Sequence, residues 1–303
     1  MGVLNYTTLS KDLISHYIRK IQCHAHHLDE PSKPDHLHQV RTHLRRLRNS
    51  LKVFKDLFEE SERKAWDEDL KALSKVTSPA RDEDIQIAFL KKYKKRLHGH
   101  KDSRAIDSLI FELECKRDQR QPQILACLRQ VQMRQIFNQI LIYLNHHQQI
   151  NRYPVNYIYH VGFRWISRCI QKVLSYERYV SQPKAKNELH QMRIANKYLR
   201  YTIEGLKDVY SIEIVCYLKT ITFIHKTLGA VHDNDVWVDL LNKRLNQDMP
   251  LKTSEIKAFN DLKNFCQSRR NDCYNDFHKT WVNMKNQAFF EDLSGYLRSA
   301  AET

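Results

Sequence analysis

Two stretches of this chain carry the same unusual run of side chains. The first is His38-Gln39-Val40-Arg41-Thr42-His43-Leu44-Arg45-Arg46-Leu47-Arg48, and the second is His190-Gln191-Met192-Arg193-Ile194-Ala195-Asn196-Lys197-Tyr198-Leu199-Arg200. Both read H-Q-x-R-x-x-x-[RK]-x-L-R, and they lie 190 − 38 = 152 residues apart in a chain of 303. Guanidinium groups present forked donors that match the oxygens of phosphate, and imidazole adds a donor whose charge can be switched. The chemistry this offers is recognition of an oxyanion. Its duplication at half the chain length predicts two similar halves.

At about 100° per residue, a helix brings His38, Arg41, Arg45, Arg48 and Lys52 within roughly 80° of one another over about 21 Å. Val40, Leu44, Leu47, Leu51, Phe54 and Phe58 form a separate apolar stripe for a core. The second copy repeats this with His190, Arg193, Lys197 and Arg200 against Met192, Leu199, Ile203 and Leu206, and places Glu204 where the first has Lys52. A charged helix face is usually a solvated one. Here like charges at i,i+3 and i,i+4 repel unless an anion neutralises them, the pattern recurs at one spacing, and Arg holds most positions. Asp35 and Asn187 precede the two His by three residues and read as N-caps. That predicts His38 and His190 in the first helical turn, where free N–H groups attract anions and each His gains a proton when one binds.

These residues resemble the CHAD family, the conserved-histidine α-helical domain. The first copy is similar to that family's first-half motif, and His190 to Glu204 to its second-half motif. Arg81-Asp82-Glu83-Asp84 resembles its R-D-x-D element, and Leu228-Gly229 with Asp233 its L-G-x-x-x-D element. The resemblance implies an all-α fold of two pseudo-symmetric, four-helix-bundle-like halves around a basic central channel, within a single domain spanning 1–303 with repeats at about 8–150 and 153–299. It also implies binding of inorganic polyphosphate. The candidate contacts are His38, Arg41, Arg45, Arg48, Lys52, His190, Arg193, Lys197 and Arg200. Lys20, Lys75, Arg81, His160, Arg164 and Lys226, several of them at matching offsets, are further candidates. Asp82 and Asp233 are read either as helix caps or as holders of nearby cations. His232, at the place of Arg81, argues against a direct anion role there.

Composition supports a polyanion partner without naming it. The formal charge is +15, the 35 acidic residues are dispersed, and 6 Gly and 7 Pro suit long helices with short connections. Seven Cys with no C-x-x-C pair point to a reducing compartment rather than a disulfide framework. Cys23 and His27 at i,i+4 offer no fixed ligand set, so no metal or other cofactor is expected. Neither a signal peptide nor a run of about 18 apolar residues is read, so the expectation is a cytoplasmic protein, associated with polyphosphate granules if the resemblance holds.

The periodicity predicts helices at about Thr8–His27, Asp35–Glu59, Glu62–Val76, Ala80–Leu97, Ser103–Arg120 and Pro122–Gln148. In the second half it predicts Val155–Tyr179, Asn187–Tyr210, Ile212–Leu228, Asp233–Asn246, Ser254–Tyr274 and Asp276–Leu297. Ser78 and Pro79 read as a helix start, Pro31, Gly99 and Pro250 as breaks, and the four Trp as core anchors. Three functions compete. The preferred one is non-catalytic polyphosphate binding. Nucleic-acid binding fits the charge, but aromatic residues do not interleave with the cations. A phosphotransferase using His38 or His190 lacks a nearby constellation of metal-binding carboxylates.

Overall fold

The computed structural model describes residues 5–29, 34–97, 100–146, 153–246 and 251–302. Pro31, Gly99 and Pro250 lie outside the described residues. The chain divides into two compact units, 1–155 and 156–303, and the described residues hold helices and no strand.

The first unit contains α1 (Tyr6–Ala25), α2 (Pro34–Val53), α3 (Glu60–Lys94), α4 (His100–Met133) and α5 (Ile136–His146). Asn5 caps α1, its side chain accepting the Thr8 N–H at 2.8 Å. α1 packs on α2, α2 on α3 and α3 on α4, and α5 returns against α1. The apolar stripe of α2 (Val40, Leu44, Leu47, Leu51, Phe54) is buried in this ring. Each such fully buried Leu, Val or Phe contributes about 1.5–3 kcal/mol relative to exposure.

The second unit repeats the plan. It contains α6 (Tyr157–Leu174), α7 (Lys186–Leu206), α8 (Glu213–Leu245), α9 (Thr253–Asn286) and α10 (Phe289–Glu302). α6 packs on α7, α7 on α8 and α8 on α9, and α10 closes onto α6 and α9. The correspondence reaches small features. A 3-10 turn follows each motif helix, Lys55–Leu57 and Lys207–Val209. The α4–α5 and α9–α10 breaks each turn on a residue of positive φ, Gln135 and Ala288. Trp66, Trp165, Trp237 and Trp281 are buried, as core anchors must be.

Several predicted boundaries are corrected. Ser78 and Pro79 do not start a helix; α3 runs through Pro79 for 35 residues. Its inward face keeps phase across the proline through Leu70, Leu73, Thr77, Ala80 and Asp84, so burial overrides the lost backbone bond. The second unit does the same without a proline, α8 spanning what reads as two helices. Pro122 likewise lies inside α4, which ends at Met133. In the second unit the break comes after Asn286, not near Tyr274. Nor are Asp35 and Asn187 N-caps. α2 starts at Pro34 and α7 at Lys186, with Ala185 as its N-cap, so each His sits one residue past the first turn.

α8 contains an 18-residue window of mean hydropathy 1.2, long and apolar enough to cross a membrane by length and composition. Its apolar residues Ile214, Ile221, Ile224, Leu228, Val231 and Leu241 are buried inside the second unit, and it carries the buried Asp235. It is a core helix of that bundle.

Candidate anion-binding site

The cation stripe of α2 divides lengthwise. Relative to His38, Arg45 and Lys52 lie within about 40°, while Arg41 and Arg48 lie about 60–80° round the helix. α3 packs on that second edge. Arg41 is 4% exposed. Its Nη1 donates to the Ser74 carbonyl and to the hydroxyls of Thr77 and Ser78, each at 2.9 Å. It thus serves the turn just before Pro79. Arg48 forks onto Asp67, with Nε and Nη2 at 2.7 and 3.0 Å from the two carboxylate oxygens. Two of the five stripe residues are therefore bonded within the first unit and brace α2 against α3.

His38, Arg45 and Lys52 remain on the open edge. Among the described residues, neither Arg45 nor Lys52 has a carboxylate partner. Arg81 of α3 joins them: it sits close enough to His38 to act on it, and reaches Asp84 only at 4.0 Å. His38 is exposed, yet the atoms crowding its ring, then Arg81, hold it below the ordinary imidazole value; Asp35 opposes this, and Arg45 and Arg41 add to it. Burial likewise lowers Arg81, although Asp84, Asp35 and Asp82 favour its charge.

In the second unit Arg193 runs along α8, where a Cβ at Gly229 would lie 3.5 Å from its Nε. Lys197 lies over the Tyr198 ring at 5.2 Å. Arg200 pairs with Glu204 at 3.3 Å and covers Tyr201 at 4.9 Å. Like Arg48, it already has a carboxylate. His190 is lowered by burial and then by Arg193 and Lys197. Its ring meets that of His232 at 3.9 Å between centroids. The residue read as out of place is thus brought onto the motif histidine.

The outlying candidates are more dispersed. Lys20 is exposed on α1 beside His16 and His24. Lys75 and Lys226 are exposed on α3 and α8, and His160 and Arg164 on α6. The Cys23–His27 end of α1 is altered by α2: His24 and His36 bring their Nδ1 atoms to 3.2 Å. Among the described residues no group of three or more His, Cys, Asp or Glu is placed to hold a metal.

Asp82 and Asp233, read as helix caps or as cation holders, lie inside α3 and α8 and so cap neither helix. Both are exposed, and the buried acids one or two residues later hold arginines. Asp84 accepts from Arg117 Nε at 2.9 Å and Asp235 from Arg270 Nε at 3.3 Å. Glu83, also buried, holds Arg120 at 2.9 Å. Arg117 donates on to Gln121 at 2.9 Å, and Gln121 to the carbonyl of Leu28. Arg270 donates to the Pro183 carbonyl, and Tyr274 to the Val180 carbonyl at 2.6 Å. In both units a buried acid, an arginine and a third donor pin the connection that leads into the motif helix. The inward phase of α3, followed through Pro79, is the sequence signal for Asp84.

The histidines predict a pH response of the fold. His16, His24, His38, His43, His190 and His232 all lie below the ordinary value, with burial the first cause in each. The unfolded chain then binds more protons than the folded one between about pH 6.5 and the lowered values. Stability from these groups is full above that range and falls as pH drops; for His232 the loss extends to about 4. Melting followed by circular dichroism in phosphate-free buffer should show Tm falling by several degrees from pH 7 to pH 5. An unchanged Tm would show that these rings protonate freely in the folded chain.

A family model for the CHAD domain matches residues 12–242, and this chain belongs to the CHAD family. A crystal structure of the CHAD domain from the plant Ricinus communis superposes with a TM-score of 0.70 at 17% identity, covering 92% of each chain. PptA from Streptomyces chartreusis superposes with a TM-score of 0.65 at 11% identity, covering 91% of this chain and 99% of that one. At these identities the likeness is one of fold. A comparison with curated protein sequences finds no match.

Proposed function

We propose that this chain binds inorganic polyphosphate without turning it over, through the open cations of its two motif helices. One observation carries this reading: Arg45, Lys52 and Arg193 stand on the motif faces with no carboxylate partner among the described residues, beside imidazoles that neighbouring cations oppose charging. Such a cluster is repulsive by itself and is relieved by a phosphate-rich anion. Membership of the CHAD family supports the same ligand. The non-catalytic part is supported by the carboxylates beside the stripes: Asp67, Asp84 and Asp235 are each occupied by an arginine. Residence with polyphosphate in the cytoplasm is part of this proposal.

Calorimetric titration with orthophosphate, pyrophosphate and polyphosphates of increasing length tests it. Affinity should rise with length until the stripe of about 21 Å is filled. Log K should fall linearly with log salt as counterions are displaced. Pyrophosphate binding as tightly as long polymer would replace the stripe by a compact pocket. Hydrolysis of the polymer with added Mg²⁺ would overturn the non-catalytic reading.

A further inference from the structure

We propose that His190 and His232 form a proton-gated phosphate seat in the second unit, with His232 a direct ligand of the anion; this rests on the polyphosphate reading above. The two rings are 3.9 Å apart, tilted by 41°. They come from different helices, α7 and α8, so the packing of those helices sets their approach. At that separation neutral imidazoles pack comfortably and two imidazolium ions repel strongly. A phosphate placed over both edges converts the repulsion into a pair of charge-assisted hydrogen bonds. The cost of charging the rings is then met only when the anion is present.

The surroundings leave this job to the ligand. On α7, Arg193 and Lys197 oppose protonation of His190, and Arg193 that of His232 as well. On α8, Asp235 is one turn from His232 but is taken up by Arg270 of α9 and by Lys186. α6, packed against α7, brings His160, Arg164, Arg168 and Lys172 and no carboxylate. Asp233, beside His232, is exposed. The enclosed Nδ1 of His190 has no hydrogen-bond partner among the described residues. Consistent with this geometry, His232 is pushed down to about 4, by burial first and His190 next.

The first unit differs at this place. Arg81 stands next to His38, where His232 stands next to His190. An arginine stays charged throughout the physiological range, so the first unit is ready for anion at any such pH. The second unit acquires comparable charge by taking protons from solvent as phosphate arrives. The pair therefore makes anion binding by the second unit pH-responsive.

The experiment is titration of a medium-length polyphosphate into wild type, His232→Arg and His232→Gln, near pH 7, in two buffers of different ionisation heat. The difference between buffers counts protons taken up. Wild type should take up protons on binding, and His232→Arg about one fewer. His232→Arg should also lose the pH dependence of affinity between about pH 6 and 8, binding several-fold tighter than wild type near pH 8. His232→Gln should take up fewer protons and bind more weakly near pH 6. Circular dichroism melts confirm that both variants fold; since the first unit has an arginine at this place, His232→Arg keeps the test open if the glutamine variant does not. Equal proton uptake in all three chains, with binding retained, would overturn the gated seat and leave polyphosphate binding standing. No binding by any chain from pH 5.5 to 8 would overturn both.

Discussion

Replacing Arg45 and Arg193 together by alanine is expected to weaken polyphosphate binding about 100-fold or more, while the doubly substituted Lys94→Ala, Lys95→Ala chain loses little. Arg45 and Arg193 have no internal partner among the described residues, so their guanidinium groups are available to an incoming phosphate. Each charge-assisted contact is worth about 1.5–3 kcal/mol, and two at the lower end already amount to about two decades of affinity. Lys94 and Lys95 remove the same formal charge from the end of α3, where Lys94 is bonded to Asp107 at 2.6 Å. Arg48 and Arg200 make weaker test sites than the motif alone suggests. Arg48 is clamped by Asp67 and Arg200 by Glu204, so removing either changes the fold as well as the ligand. Fluorescence anisotropy with labelled polymer at fixed salt measures the difference. Equal losses in the two double variants would mean diffuse attraction to a +15 chain rather than a defined stripe.

Asp84→Ala should destabilise the protein by about 3–5 kcal/mol, the range for removing one partner of a buried ion pair. Asp84 and Arg117 side chains are 4% and 7% exposed, so the loss leaves a guanidinium stranded in the core. Burial raises the Asp84 carboxyl despite the opposing pull of Arg117. Desolvation therefore outweighs pairing, and the pair is there for position: it holds Arg117, Gln121 and the Leu28 carbonyl in line before α2. Replacing both partners, as in Asp84→Leu with Arg117→Met, should recover much of the loss. Asp82→Ala, on the exposed face of the same helix, should fall within about 0.5 kcal/mol of wild type. Urea unfolding compares the four chains. A loss at Asp82 as large as at Asp84 would contradict the assignment of the holding carboxylate.

The helical class and the two motif faces were legible because both follow from period alone. Val40, Leu44, Leu47 and Leu51 mark the core side of α2 whatever packs on it, and the duplication exposes the plan of the second unit. What period could not supply was the neighbour. Arg41, Arg45 and Arg48 share one face of roughly 80° on a helical wheel; the wheel does not say which edge a neighbour covers, and the approach of α3 makes Arg41 and Arg48 structural and leaves Arg45 open. Pro79 misled for a related reason. A proline after serine is a good local start signal, but Thr77 and Ser78 supply acceptors that Arg41 satisfies, and the core keeps α3 continuous. Splitting α3 there lost the phase, and with it the burial of Asp84 over Asp82. His232 was set aside as a departure from arginine, because nothing in one helix reveals that another delivers His190 against it.

The most direct test is competition at equal charge concentration between long-chain polyphosphate and single-stranded nucleic acid, read as displacement of a labelled polymer at near-physiological salt. A stripe of forked donors close to the starts of α2 and α7 should prefer closely spaced phosphates over phosphates separated by sugars and bases. Polyphosphate is expected to displace bound nucleic acid at concentrations well below those needed for the reverse. Equal displacement in both directions, or preference for the nucleic acid, would contradict polyphosphate recognition and identify the motif helices as a general polyanion surface.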